Sequence, residues 1–163
     1  MAVSIRHASP GDEPAVVELV RQLADAADYP TPIDEHYVRH YLASGVSDVL
    51  LAFDDCVPVG LLSYAVVPGL FHAADSGIIE ALVVADDQRG KGIGRQLLGT
   101  AVRLLEKNGC AEIAVSVDTQ NERAQKLYFE AGLNEASVSL QKRLARGAHA
   151  PLDRCAPGLA ASD

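Results

Sequence analysis

Residues 3–7 alternate apolar and polar side chains, the two-residue period of a strand with one face covered. Ser9-Pro10-Gly11-Asp12 follows as a turn in which Asp12 offers an N-cap, and Pro14 suits the first turn of the helix that it opens. Val16, Leu19, Val20 and Leu23 then recur at helical spacing. Pro30 and Pro32 break this period, which resumes over residues 34–43 as a second, shorter helix. At Val49 the period changes. Residues 49–53 read as a strand, Asp54-Asp55 as a turn and 57–67 as a longer strand, a hairpin closed by Pro68-Gly69. Residues 78–84 are almost continuously apolar, which predicts a strand covered on both faces.

A glycine-rich segment leads from there into a helix carrying Leu97, Leu98, Ala101, Leu104 and Leu105, which Asn108-Gly109 stops. Ile113, Val115 and Val117 predict another strand, residues 121–131 a helix ended by Gly132, and 138–144 a last strand. From about Arg146 the chain is rich in Ala, Gly and Pro without a period, the composition of a disordered tail. The order is β-α-α-β-β-β-α-β-α-β. It predicts one layered α/β (or α+β) domain over residues 1–145 and a tail over 146–163.

Composition narrows the class. A chain of 163 residues, 48% hydrophobic and 22% charged, is globular and buries a sizeable core without disulfides. Cys56, Cys110 and Cys155 are far apart and form no C-x-x-C pair, as expected of free thiols in a reducing compartment. The first residues lack the apolar stretch of a secretion signal, and no apolar run approaches the roughly 18 residues of a membrane span. A soluble, cytoplasmic protein with no membrane partner is the expectation. The net charge of −8, from 22 acidic and 14 basic residues, argues against nucleic acid and leans toward cationic substrates.

Against that acidic background, Arg89-Gly90-Lys91-Gly92-Ile93-Gly94-Arg95 concentrates glycine and positive charge between a strand and a helix. Glycines permit close backbone approach, and a helix N-terminus presents unpaired N–H groups to an anion. The segment reads as a phosphate site. It contains no G-x-x-x-x-G-K-[ST] string, and both registers of G-x-G-x-x-G fail, at Arg95 and at Leu97.

Arg89 to Gly94 resembles the [Q/R]-x-x-G-x-[G/A] motif of the GNAT superfamily of N-acetyltransferases. Leu82-Val83-Val84 resembles the acetyl-CoA strand that precedes it. The stretch from Asn121 to Leu133 resembles the family's N-x-x-A-x-x-x-Y-x-x-x-G-F segment, with Leu133 in place of Phe. Two motifs in the right order are far more specific than either alone. The resemblance implies a mixed, mostly antiparallel central sheet flanked by helices. It implies acetyl-CoA as co-substrate, no metal, and an amine acceptor. Backbone N–H groups of Arg89, Gly90, Lys91, Gly92, Ile93, Gly94 and Arg95 would hold the pyrophosphate. Leu82, Val83 and Val84 would pair with the pantetheine arm, with the Val84 N–H polarising the thioester carbonyl. Asn121 would contact the cofactor, and Tyr128 would act as general acid at the thioester sulfur. Homodimers are common among such proteins.

An attacking amine must be neutral, yet a free ammonium with a pKa of roughly 10 is charged at pH 7, so a base is needed. Glu80 interrupts the apolar run and is read on the strand face of Ile78, Leu82 and Val84. A carboxylate in such apolar surroundings suits proton abstraction, and the family often carries an acid here, as base or as anchor of the amine. Each role has a plain rival: a strand–helix turn for the loop, a packed ring for Tyr128, a solvent-facing or ion-paired strand residue for Glu80, a helix cap for Asn121. His36 and His40 have one-face zinc spacing but no third ligand, which favours a solvated helix face. Tyr29, Tyr37, Tyr64, Phe71 and His72 fall where acceptor pockets form in the resembling family. With no nucleophile in the motifs, direct transfer to a small cationic amine is the leading expectation. Acetylation of protein Lys or N-termini, and a non-catalytic acyl-CoA sensor, are the alternatives.

Overall fold

A computed structural model describes residues 3–142. Over these the chain runs β1 (Val3–His7), α1 (Glu13–Ala26), α2 (Glu35–Ala43), β2 (Ser47–Asp54), β3 (Val57–Gly69), β4 (Ala74–Val84), α3 (Ile93–Lys107), β5 (Glu112–Val115) and α4 (Glu122–Glu130). The strands pair in chain order, antiparallel throughout except for the parallel pair β4–β5, which α3 joins as a crossover. This is the mixed, mostly antiparallel sheet expected. Among the described residues no helix is long and apolar enough to cross a membrane.

Two cores sandwich the sheet. Leu97, Leu98, Ala101 and Leu105 of α3 pack on Leu50, Leu62, Tyr64 and Ile79. On the other face Val16, Val17 and Leu19 of α1 and Val38 of α2 pack on Leu51, Leu61 and Val83. Successive residues of β2 and β3 therefore feed opposite cores, which explains their apolar runs. The doubly covered strands are these two. β4 was expected to be covered on both faces, yet Ile78 is 38% exposed and Leu82 and Val84 are only half-buried.

The reason lies in the register of β4 against β3. Ser63 pairs with Ala81, but Tyr64 pairs with Ile79, so Glu80 is an extra residue, a β-bulge. Side-chain parity flips there. Ile79, Leu82 and Val84 all face the α3 core, while Ala81 and Val83 face α1 and α2. The expectation that Glu80 shares a face with Leu82 and Val84 is thereby corrected.

Other local expectations also give way to tertiary partners. Asp12 precedes α1 but does not cap it. Its carboxylate instead accepts from Arg6 at 2.7 and 2.9 Å and from the Ser9 N–H at 2.7 Å. β3 continues through Pro68 to Gly69 rather than closing there, and β5 stops at Val115, short of Val117. The strand expected over 138–144 does not form in its described part, where Val138 and Leu140 stand 87% and 92% exposed with no strand to pair with. Its last two residues, and the tail expected from Arg146, lie outside the described residues.

Candidate active site

β4 is bonded to β5 only where Ser76–Ile79 meet Glu112–Val115. Beyond the bulge, among the described residues, no strand covers that edge. The Ala85 N–H donates to Val59 O at 3.0 Å, toward β3. Main-chain groups alternate sides along a strand, so the N–H and C=O of Val84 point to the open edge. Arg89 confirms that direction, since its Nε donates to Val84 O at 3.3 Å. Its Nη2 also meets Asp86 Oδ1 at 2.6 Å, so this side chain braces the loop against the end of β4.

The loop then turns through Gly90 and Gly92, with φ of 83° and 80°, in left-handed backbone that glycine alone adopts without strain. A Cβ at either position would meet no atom within 4 Å, so the loop borders open space. Gly92 caps α3 without any side-chain bond, and Gln96 is the first N–H to bond back, to Gly92 O at 3.1 Å. The preceding N–H groups form the positive end of the helix dipole. Lys91 adds charge at the rim, where its Nζ donates to Gln88 Oε1 at 2.6 Å.

α4 supplies the third wall. Asn121 caps it, its Oδ1 accepting from the Ala124 N–H at 3.0 Å. Tyr128 is 8% exposed, and burial pushes its phenol up, so it stays protonated at neutral pH. Between these walls lies a groove of about 540 Å³ lined by Leu82, Val83, Val84, Arg89, Gly90, Gly92, Ile93, Gly94, Arg95, Asn121 and Tyr128. Leu23 and Ala26 of α1 and Arg123 and Lys126 of α4 join them; periodicity marks Leu23 only as a helix-face residue, and none of the four was expected as a site residue. Arg95 is paired with Glu130.

Two of the expected site residues stand apart from this lining, Lys91 and Glu80. Glu80 is exposed, not in apolar surroundings, and its Oε2 accepts from the Tyr41 hydroxyl of α2. Tyr41 escaped the sequence reading, because which residue of α2 reaches β4 is a tertiary fact. Among the aromatics that reading proposed, Tyr64 belongs to the core, its phenol pushed up to about 12 by burial and then by Asp48. Phe71 stands at the tip between β3 and β4, and His72 lies 3.2 Å from Glu112. Tyr29 and Tyr37 are surface residues. His40 Nδ1 lies 2.9 Å from His36 O, and no group of three metal-ligating side chains gathers among the described residues. Cys56 is exposed and outside the groove; the thiol of Cys110, also outside it, is pushed up by burial.

Known proteins resemble this chain in sequence and in fold. A mycothiol acetyltransferase from Kocuria rhizophila is 30% identical over 97 residues, 58% of this chain and 32% of that protein. The chain spans about a third of the length of the curated relatives it matches. An aminoglycoside acetyltransferase from an uncultured soil metagenomic sample shares the fold with a TM-score of 0.77 at 18% identity, over 89% of this chain and 97% of that one. A ribosomal-protein-alanine N-acetyltransferase from Brucella melitensis biovar Abortus 2308 does so with a TM-score of 0.72 at 22% identity, over 90% of this chain and all of that one, 100%. Residues 16–133 match the family model of the acetyltransferase (GNAT) family, a span that holds both the groove and the bulge of β4. With that much of its length matched, this chain belongs to the GNAT family of acetyltransferases.

Proposed function

We propose that the protein is an N-acetyltransferase that moves an acetyl group from acetyl-CoA directly to the amine of a small cationic molecule. The observation that carries this reading is the open edge of β4 running into the α3 N-terminus, with the buried Tyr128 in the lining of the same groove. The residues present fit the cofactor. Val84 and Leu82 offer main-chain groups to an extended amide arm, and the glycine loop offers N–H groups and open space to a pyrophosphate.

Acetyl-CoA, when bound, supplies a thioester-activated acetyl group. The Val84 N–H donates to the carbonyl oxygen as its negative charge grows, from a position fixed before the reaction. Tyr128 holds a proton for the departing sulfur. Glu80 receives the proton of the incoming ammonium, directly or through water. Asn121 orients the head of α4 beside the cofactor. The two described cysteines lie outside the groove, which supports transfer without an acyl-enzyme. The acidic balance of the chain and the exposed carboxylate of Glu80 support a cationic acceptor.

Thiol release from acetyl-CoA, followed across polyamines, aminoglycosides, amino acids and basic peptides, tests this. A strong responder among the small cations is expected, and Tyr128→Phe should lower its turnover by about 10²–10³-fold with acetyl-CoA affinity nearly kept. Response confined to peptides would move the acceptor to proteins. Silence throughout, with acetyl-CoA still raising the melting temperature, would replace the enzyme by a sensor.

A further inference from the structure

The bulge aims the Glu80 carboxylate at α2, where Tyr41 donates to its Oε2. A phenol has one proton and two acceptor sites. A carboxylate only accepts, so the bond has one direction, from Tyr41 toward Glu80.

The platform beneath this bond is fixed. Val38 of α2 is fully buried, and Asp34 caps the helix by accepting from the Tyr37 N–H at 2.7 Å. Arg39 Nε lies 3.5 Å from Oε1 of the buried Glu13 at the head of α1. Tyr41 is half-buried on this anchored helix, while Glu80 is exposed and has an acidic side chain with several free torsions. The hydroxyl therefore restrains a group that solvent would otherwise leave mobile.

We propose that Tyr41 is a positioning residue for the acceptor amine: it holds Oε2 of Glu80 and leaves Oε1 to meet the incoming ammonium in one orientation. This rests on the proposed role of Glu80 as the receiver of the amine proton. Tyr41 moves no proton itself, and its own proton stays on the phenol throughout.

Tyr41→Phe keeps the ring and removes the hydroxyl. Carbon-13 relaxation at the Glu80 γ-methylene, measured on the intact protein without acceptor, should change from ordered to freely rotating. Unchanged order would overturn the proposal whatever the substrate. With spermidine and an aminoglycoside as acceptors, Tyr41→Phe should lower kcat/KM for the amine about tenfold and leave KM for acetyl-CoA unchanged. In a Glu80→Gln background the same change should cost nothing further, and a second tenfold loss there would show that the phenol acts on its own. Full turnover by Glu80→Gln would remove the role of Glu80 and this proposal with it. An unimpaired Tyr41→Phe beside an impaired Glu80→Gln removes the proposal alone.

Discussion

Between Ser76 and Ile79, β4 is hydrogen-bonded on both edges, to β3 and to β5; between Ala81 and Val84, among the described residues, it is paired with β3 alone. The first half is tightly packed where it meets α3. A Cβ added at Gly77 would lie 2.7 Å from Leu105 Cδ1, and Ile79 is almost wholly buried. The second half faces a groove and ends at a loop whose glycines border open space. One inserted residue marks the border. The split is held from the far side as well, since Gln125 of α4 donates to the carbonyls of Asp118 and Thr119 at 3.0 and 2.9 Å and so fixes the chain where it leaves β5. A strand that must be both scaffold and site is thus divided along its length, with its rigid half supplying the precision that the open half needs.

The strongest way to break this comparison is to fill the open half. Gly92→Trp places a bulky side chain beside the loop and strains a left-handed residue. Calorimetry should show acetyl-CoA binding weakened by at least about a hundredfold, the share of binding energy that a blocked pyrophosphate site withholds. Circular dichroism should report the fold retained. Normal affinity would mean that the cofactor lies elsewhere.

A matched pair of truncations sharpens the contrast. Ile79→Ala empties a site that is 2% exposed and should cost about 2–4 kcal/mol in urea unfolding. Leu82→Ala, three residues on, removes a half-buried groove wall. It should cost about 1 kcal/mol or less and raise KM for acetyl-CoA instead. Equal losses of stability at the two positions would erase the distinction between the halves.

The signals that reached through the sequence are local ones. The glycine loop, the stop at Gly109 and the helix carrying Tyr128 are set by residues a few positions apart, and each forms where its pattern places it. The bulge was invisible, because strict alternation read through Glu80 gives it the wrong face, and a one-residue insertion leaves no mark in hydropathy. Its partner Tyr41 is 39 residues away, and no periodicity connects the two. Tyr64 shows the same limit from the other side: strand parity turns it into the core, where sequence position alone had made it a pocket candidate. Asp12 carries every local sign of a cap, but the Arg6 guanidinium six residues earlier competes for its carboxylate and wins. Val138 and Leu140 alternate as a strand should, yet among the described residues they find no ladder and no covered face.

The smallest expected effect tests whether a change in the scaffold stays in the scaffold. The Asp12 carboxylate is mostly shielded and accepts from Arg6, from the Ser9 N–H and, at 3.0 Å, from Ser9 Oγ. The Arg6 hydrogen bond, more than the burial that opposes it, holds its pKa well below the ordinary carboxylate range. A carboxyl depressed in this way stabilises the fold fully above its unfolded pKa of about 3.9, and that contribution fades as pH falls toward the lower folded value. Asp12→Asn should therefore lower stability at pH 7 by about 1 kcal/mol, and the difference from wild type should shrink as the pH drops below about 4. Urea midpoints between pH 3 and pH 7 measure this, on the order of a single hydrogen bond to a charged group. Because β1 and the head of α1 lie at the opposite edge of the sheet from β5, acetyl-CoA affinity should not move with it. A mutant with intact midpoints would show that Arg6 and Asp12 are no more than a surface pair, and a changed affinity would show that strain at the far edge reaches the open half of β4.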